Sequence, residues 1–155
     1  MTVSPAYWIS NSLQAVESLL LACPTYATLG MDASTTYWQD VRSGAIDAPY
    51  SCIVMMSGSE DEQEANRTPR RSNTLAVYLV WPIANQVGDT DKDKTKRATN
   101  AFGQLLSEIA DIIGTSTYIA RATRSYEPPT RTNDKDDQDE QANAWEAAIT
   151  FTWDI

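Results

Sequence analysis

The residues that could do chemistry in this sequence are carboxylates and arginines gathered in two polar stretches. The first stretch holds four acidic residues followed by three basic ones: Glu60, Asp61, Glu62 and Glu64, then Arg67, Arg70 and Arg71. The second holds five acidic residues: Asp134, Asp136, Asp137, Asp139 and Glu140. Two opposed carboxylates can act as acid and base, as in glycoside hydrolysis. Carboxylates on solvated loops keep ordinary pKa values and loose geometry, so both stretches predict charged surfaces rather than a catalytic pair.

Metal and nucleophile chemistry finds no support in the sequence. The alternating aspartates resemble a calcium loop, but glycine is missing at its sixth position and glutamate at its twelfth. There is no histidine, and the two cysteines, Cys23 and Cys52, lie far apart in the chain. Histidine-based triads are therefore excluded, and no usual zinc ligand set exists. No glycine-rich phosphate loop is present. We predict a protein that is not an enzyme and has no cofactor or metal.

Composition predicts one folded domain, residues 1–155, with an acidic surface. The chain has 42% hydrophobic residues, five tryptophans and a formal net charge of −9. This length suits a single core, and the negative charge opposes general binding to phosphate backbones. No apolar run approaches the roughly 18–20 residues of a membrane span, so a soluble cytoplasmic chain is expected. Both cysteines lie in apolar patterns, which favour buried free thiols over a disulfide.

Hydrophobic periodicity predicts the elements that carry these residues. The strongest signal is the stretch from Trp145 to Ile155, in which every odd position is apolar. Pro24 is expected to end the first helix, and Pro128 and Pro129 to end the third strand. The predicted elements are helix 11–23, strands 51–57 and 74–83, a helix from Asp91 to Gly114 whose regular part starts near Lys96, and strands 115–126 and 145–155. Residues 25–50 are expected to form a short helix or an irregular connection.

This order predicts an α+β fold: a mainly antiparallel sheet of about four or more strands with two helices packed on one face. Two long polar hairpin loops, 58–73 and 127–141, connect the strands. The closing strand, 145–155, is expected to pair with 115–126 as a second hairpin. If the two hairpins lie side by side, both loops should leave the same side of the core.

The element order resembles that of the tail terminator proteins of tailed bacteriophages. The resemblance covers most of the chain and includes a central helix ending in LLSEIADIIG and the alternating final strand WEAAITFTWDI. It implies a virion protein that is assembled in the host cytoplasm and forms a ring, usually hexameric, on the finished tail tube. Its expected partners are the tail tube protein and the neck or connector proteins. Double-stranded DNA would pass through the acidic channel without specific binding.

On this interpretation the charged stretches are assembly surfaces. Arg67, Arg70 and Arg71 would pair across a subunit interface. The two acidic runs, from Glu60 to Glu64 and from Asp134 to Glu140, would line the channel or meet a neighbouring subunit. Two alternatives stay open: a head-closure or other neck protein of the same virion, and a soluble acidic binding module that mimics the charge of DNA.

Overall fold

One five-stranded sheet organises the chain. The computed structural model describes residues 8–42, 48–60, 71–132 and 144–154. Its elements are helices α1 (Trp8–Leu21), α2 (Pro24–Thr28) and α3 (Asp91–Ile112), and strands β1 (Thr36–Tyr37), β2 (Tyr50–Glu60), β3 (Arg71–Pro82), β4 (Thr123–Thr132) and β5 (Ala144–Asp154). The strand order is β1-β2-β3-β5-β4. Only the β1–β2 pair is parallel. The expected α+β class and mainly antiparallel sheet are confirmed.

The closing strand β5 lies between β3 and β4, and its alternating side chains distinguish the buried face of the sheet from the other face. Successive side chains of a strand point to opposite faces, and the odd-numbered side chains of β5 are buried in the core, as the alternation predicts. Cross-strand neighbours on β3 continue this layer, with Leu75 beside Phe151 and Val77 beside Ile149. The helices cover the same face with Val16 and Leu20 of α1 and Phe102, Leu105 and Ile109 of α3.

The first helix differs from its prediction at both ends. α1 runs from Trp8 to Leu21, and Pro24 opens the short helix α2 instead of ending α1. Proline is tolerated in the first turn of a helix because its missing N–H would have no partner there. Glu108 of α3 caps this turn: its carboxylate accepts from the Thr25 amide at 2.8 Å and from the Thr25 hydroxyl. The contact joins α2 to α3.

The expectation that α3 starts near Lys96 was wrong. The helix begins at Asp91 with a capping box, in which Thr90 and Asp93 each accept from the other's backbone amide. The carboxylates of Asp91 and Asp93 also suit the positive end of the helix dipole and offset the lysines in the same turns. The helix ends at Ile112, and a short 3-10 turn follows it.

β4 also differs from its prediction. It starts at Thr123 rather than Thr115, and it continues past Pro128 and Pro129 to Thr132. The two prolines lie in a β-bulge, where the register to β5 shifts between Glu127 and Thr130. Because β4 is an outer strand, proline N atoms that cannot donate a hydrogen bond need not interrupt a ladder.

The two expected hairpin loops are shorter than predicted. Residues 58–60 and 71–73 belong to β2 and β3, and residues 127–132 belong to β4. Strand ends with polar side chains can still pair, because the hydrogen bonds of the ladder join backbone N–H and C=O groups. The remaining parts of both loops, 61–70 and 133–143, lie outside the described residues.

The expectation that both loops leave the same side of the core was wrong. Ser72 pairs with Asp154, and Pro82 pairs with Ala144. The β2–β3 connection therefore leaves one end of the sheet, which we call the Arg71 end. The β4–β5 connection leaves the other, the Thr132 end. Since β3 and β5 are antiparallel, hairpins built on them must turn at opposite ends.

Candidate assembly surfaces

Most of the charged residues singled out in the sequence lie outside the described residues. These are Asp61, Glu62, Glu64, Arg67 and Arg70 in the first stretch, and Asp134, Asp136, Asp137, Asp139 and Glu140 in the second. The backbone places two others: Glu60 ends β2, Arg71 begins β3, and the two are register partners. The expected loop positions of Glu60 and Arg71 are thus corrected to strand positions, while the interface and channel roles of the whole set stay predictions.

The two stretches are anchored far apart. Ten residue steps separate Ser72 from Pro82 along β3, which corresponds to roughly 30 Å of strand. The segment 133–143, with five carboxylates and one lysine, is anchored at the Thr132 end. The segment 61–70, with three carboxylates and two arginines, is anchored at the Arg71 end. The most acidic segment and the mixed one are therefore attached at opposite ends of the sheet.

The face of the sheet away from α1 and α3, here called the open face, carries many small or polar side chains beside the larger Tyr78 and Val80. One row across it consists of Val54, Ala76, Thr150 and Ser125. A neighbouring row includes Thr74 and Thr152, whose hydroxyl oxygens lie 3.4 Å apart. No helix of the described residues contributes its core side chains to this face.

Arg42 fixes the segment after β1 onto the open face. Its guanidinium lies 3.5 Å from the centroid of the Tyr78 ring and forms ion pairs with Asp40 at 2.8 Å and Glu146 at 2.6 Å. The amide of Val41 donates to the Sγ of Cys52 at 3.4 Å. The contacts with Cys52, Tyr78 and Glu146 tie residues 40–42 to β2, β3 and β5.

In this cluster the positive charge of Arg42 is neutralised by the carboxylates of Asp40 and Glu146. Hydrogen bonds from Arg42 hold the pKa of Asp40 at about 2. The same ion pairs raise the pKa of Arg42. Because the charged groups of this cluster pair with one another, we interpret it as a structural clamp, here called the Arg42 clamp.

The outer strands of the sheet differ in character. On one side, β1 pairs with Ser51 and Cys52 of β2, and from Ile53 onward β2 is the outer strand among the described residues. On the other side, β4 is exposed along almost its whole length. Each side has a large exposed apolar residue: Met56 is 54% exposed and Tyr126 is 60% exposed. Outer strands of this kind can pair with another chain.

Both cysteines are buried and free, as expected. Burial raises the pKa of the Cys23 thiol to about 11 and also raises that of Cys52. A raised pKa keeps the thiol protonated, so neither residue has the properties of a nucleophile.

A groove of about 570 Å³ lies beside Trp81, Trp145 and Lys94. The arginine on its wall, Arg97, is held by Asp89 at 2.5 Å and by the Ala84 carbonyl oxygen at 2.9 Å. Within the described ranges, no group of three or more possible metal ligands comes together, and no helix is long and apolar enough to cross a membrane.

The sequence missed the Arg42 cluster because nothing in the local pattern identifies it. Residues 38–42 have no periodicity, and Glu146 lies 104 positions from Arg42. The only usable signal was Glu146 itself, a charged residue at a solvent-side position of a strongly alternating strand.

Comparison with known proteins adds no family. Neither a scan against protein-family models nor a search of curated proteins gives a match to this chain.

Proposed function

We propose that this chain is a structural subunit of a tailed-phage virion, a tail terminator that forms a ring, six-fold by the resemblance, on the end of the tail tube. The observation that carries the proposal is the pair of unlike outer strands. A contact between two different surfaces repeats from one copy to the next, and it closes into a ring when the rotation permits.

Strand direction supports such a ring. β2, β3, β5 and β4 are neighbours in this order, and each neighbouring pair is antiparallel. β2 and β4 therefore run in opposite directions. Copies placed side by side in the same orientation bring β4 of one beside β2 of the next as an antiparallel pair, which is the commoner and more stable ladder.

The charge distribution suits passage of DNA along the axis of the ring. The acidic segment 133–143 would repeat at the same end of every subunit, so the ring would carry a collar of negative charge at the Thr132 end. Such a collar repels phosphates and keeps DNA from binding the wall. The segment 61–70, at the opposite end, would face the other neighbour in the particle.

The test is the assembly of the purified full chain. Native mass spectrometry should find a closed ring of 17.2-kDa chains, and negative-stain images should show a central channel. In the phage, charge reversal at Arg67, Arg70 and Arg71 should abolish assembly on tail tubes, whereas replacement of all three by lysine should preserve it. Normal tail length and infectivity of the charge-reversed phage would contradict the interface role.

A head-closure protein of the same virion is the second candidate, since it would also form a ring. Labelling of the protein in intact particles distinguishes the two, because a terminator lies on the tube side of the neck. A monodisperse monomer that binds a basic partner tightly would instead favour the acidic binding module.

A further inference from the structure

We propose that the subunit contact is a specific backbone ladder, in which residues 123–126 of β4 in one copy pair with residues 53–57 of β2 in the next copy. This inference rests on the ring proposed above and names the contact that builds it. It follows from the register of the sheet, which shows which residues of β2 and β4 lie at the same level.

The register defines common levels across the sheet. Ser125 lies level with Thr150, Ala76 and Val54. Two residues further along β4, Glu127 lies level with Ala148, Tyr78 and Cys52 in the same way. A closed ring relates neighbouring copies by rotation alone. The proposed contact is the one that keeps these levels from one copy to the next, because it is the register in which the two outer strands match.

The two outer strands match along these levels. Ser51 and Cys52 of β2 are already paired with β1, so a neighbouring strand can reach only Ile53 and the residues after it. On β4, the stretch that lies level with Ser51 and Cys52 is the bulge between Glu127 and Thr130, which contains the two prolines. The part of β4 without donors therefore faces the part of β2 that is already occupied. Residues 123–126 of β4, which precede the prolines, face residues 53–57 of β2, which no other strand covers among the described residues and which have one β-bulge between Met55 and Ser57.

The exposed apolar side chains support the same alignment. Tyr126 lies level with Ile53, and its ring packs edge-on against Phe102 with a centroid distance of 5.9 Å. Its exposed side would be covered by the neighbour's β2 on the helix side of the joined sheets. Met56, exposed at the other outer strand, lies close to the level of Thr123 and would be covered on the open face.

The test is a disulfide between copies, in the double variant Val54→Cys and Ser125→Cys. In the proposed ladder these side chains are directly opposed, within about 4.5–5.5 Å between Cβ atoms. Within one chain the same positions are three strands apart, roughly 14 Å, which no disulfide can span. Mild oxidation of the full-length protein should give a ladder of covalent oligomers up to the ring size on a non-reducing gel. Both native thiols are buried, so the wild-type chain provides the background.

Three controls make the result decisive. Val54→Cys with Thr130→Cys keeps the same strands but moves one position by four residue levels, from the level of Thr150 to that of Glu146, and it should give no ladder. Each single variant should stay monomeric on the gel; a dimer of Ser125→Cys alone would show a two-fold β4–β4 contact and overturn the proposal. Rings seen by native mass spectrometry without cross-linking would overturn the ladder and leave the proposed function standing. A monomer at every concentration, without cross-links, would overturn both.

Discussion

The hydroxyl of Tyr26 offers a sharp test of how the region between α1 and β2 is held. Its side chain is 1% exposed, and its oxygen lies 2.6 Å from the Thr36 hydroxyl and in contact with the Ser51 hydroxyl. Thr36 donates its single hydroxyl hydrogen to the Asp32 carbonyl at 2.7 Å. A hydroxyl has one hydrogen to donate. Tyr26 must therefore donate to Thr36 and accept from Ser51.

Replacement of Tyr26 by phenylalanine breaks this directed chain at its centre. Ser51 is fully buried and loses its acceptor, while Thr36 loses a donor but keeps its bond to Asp32. An orphaned buried hydroxyl costs about 1–3 kcal/mol. We expect a decrease of about 2 kcal/mol in the free energy of unfolding, which corresponds to roughly 4–8 °C in Tm for a domain of this size.

Urea unfolding followed by tryptophan fluorescence measures the effect. Tyr126→Phe is the matched control: this tyrosine is 60% exposed, so the change should stay within about 0.5 kcal/mol. Ser51→Ala removes the orphaned donor, so the double variant Tyr26→Phe, Ser51→Ala should lose less than the sum of the singles, by about 1 kcal/mol. A Tyr26→Phe protein as stable as wild type, or strictly additive singles, would refute the directed chain.

Two further predictions concern the open face and the Arg71 end. Arg42→Met should lower the free energy of unfolding by about 1 kcal/mol, because partly exposed ion pairs and one cation–π contact are lost. NMR titration should then show the pKa of Asp40 rising from about 2 toward about 3.9. Since a depressed carboxyl pKa stabilises the fold above the unfolded pKa and this stabilisation is lost as pH falls, the wild type should lose its advantage over the variant between about pH 4 and pH 2. Asn73 is fully buried, and its amide has no hydrogen-bond partner among the described residues. Asn73→Leu should therefore leave the free energy of unfolding unchanged or raise it by up to about 1 kcal/mol. The exposed control Asn85→Leu measures the general effect of an asparagine-to-leucine change. A clear loss of stability at Asn73 alone would mean that its amide is hydrogen-bonded in solution.

The sequence predicted what depends on side-chain periodicity. The alternation along β5 identified both its core face and its solvent face, and the spacing of Phe102, Leu105 and Ile109 identified the buried side of α3. These features are local, because one strand or helix buries one face of its own residues. They were sufficient for the fold class and for the two helices on one side of the sheet.

The sequence misled where proline and charge were interpreted without tertiary context. Pro24 begins a helix, and Pro128 and Pro129 lie within a strand, because an N-terminal helical turn and an outer strand both tolerate a missing N–H. The lysines after Asp91 suggested a late helix start, yet the Thr90 capping box, visible in the sequence as Thr and Asp three apart, fixes the helix there. For the candidate surfaces, the outer strands and the Arg42 clamp depend on which strands become neighbours, which no local pattern contains.

The position of β5 also has a consequence for the order of events during synthesis. β3 is joined to β4 only through β5, so the two halves of the sheet cannot unite until residues 144–154 have left the ribosome. Until then the edge of β3 that pairs with β5 has unpaired backbone N–H and C=O groups, which are a template for wrong pairing. These long-range pairings also predict slow folding. A nascent chain paused before β5 should therefore depend on chaperones until this strand, which joins β3 to β4, arrives.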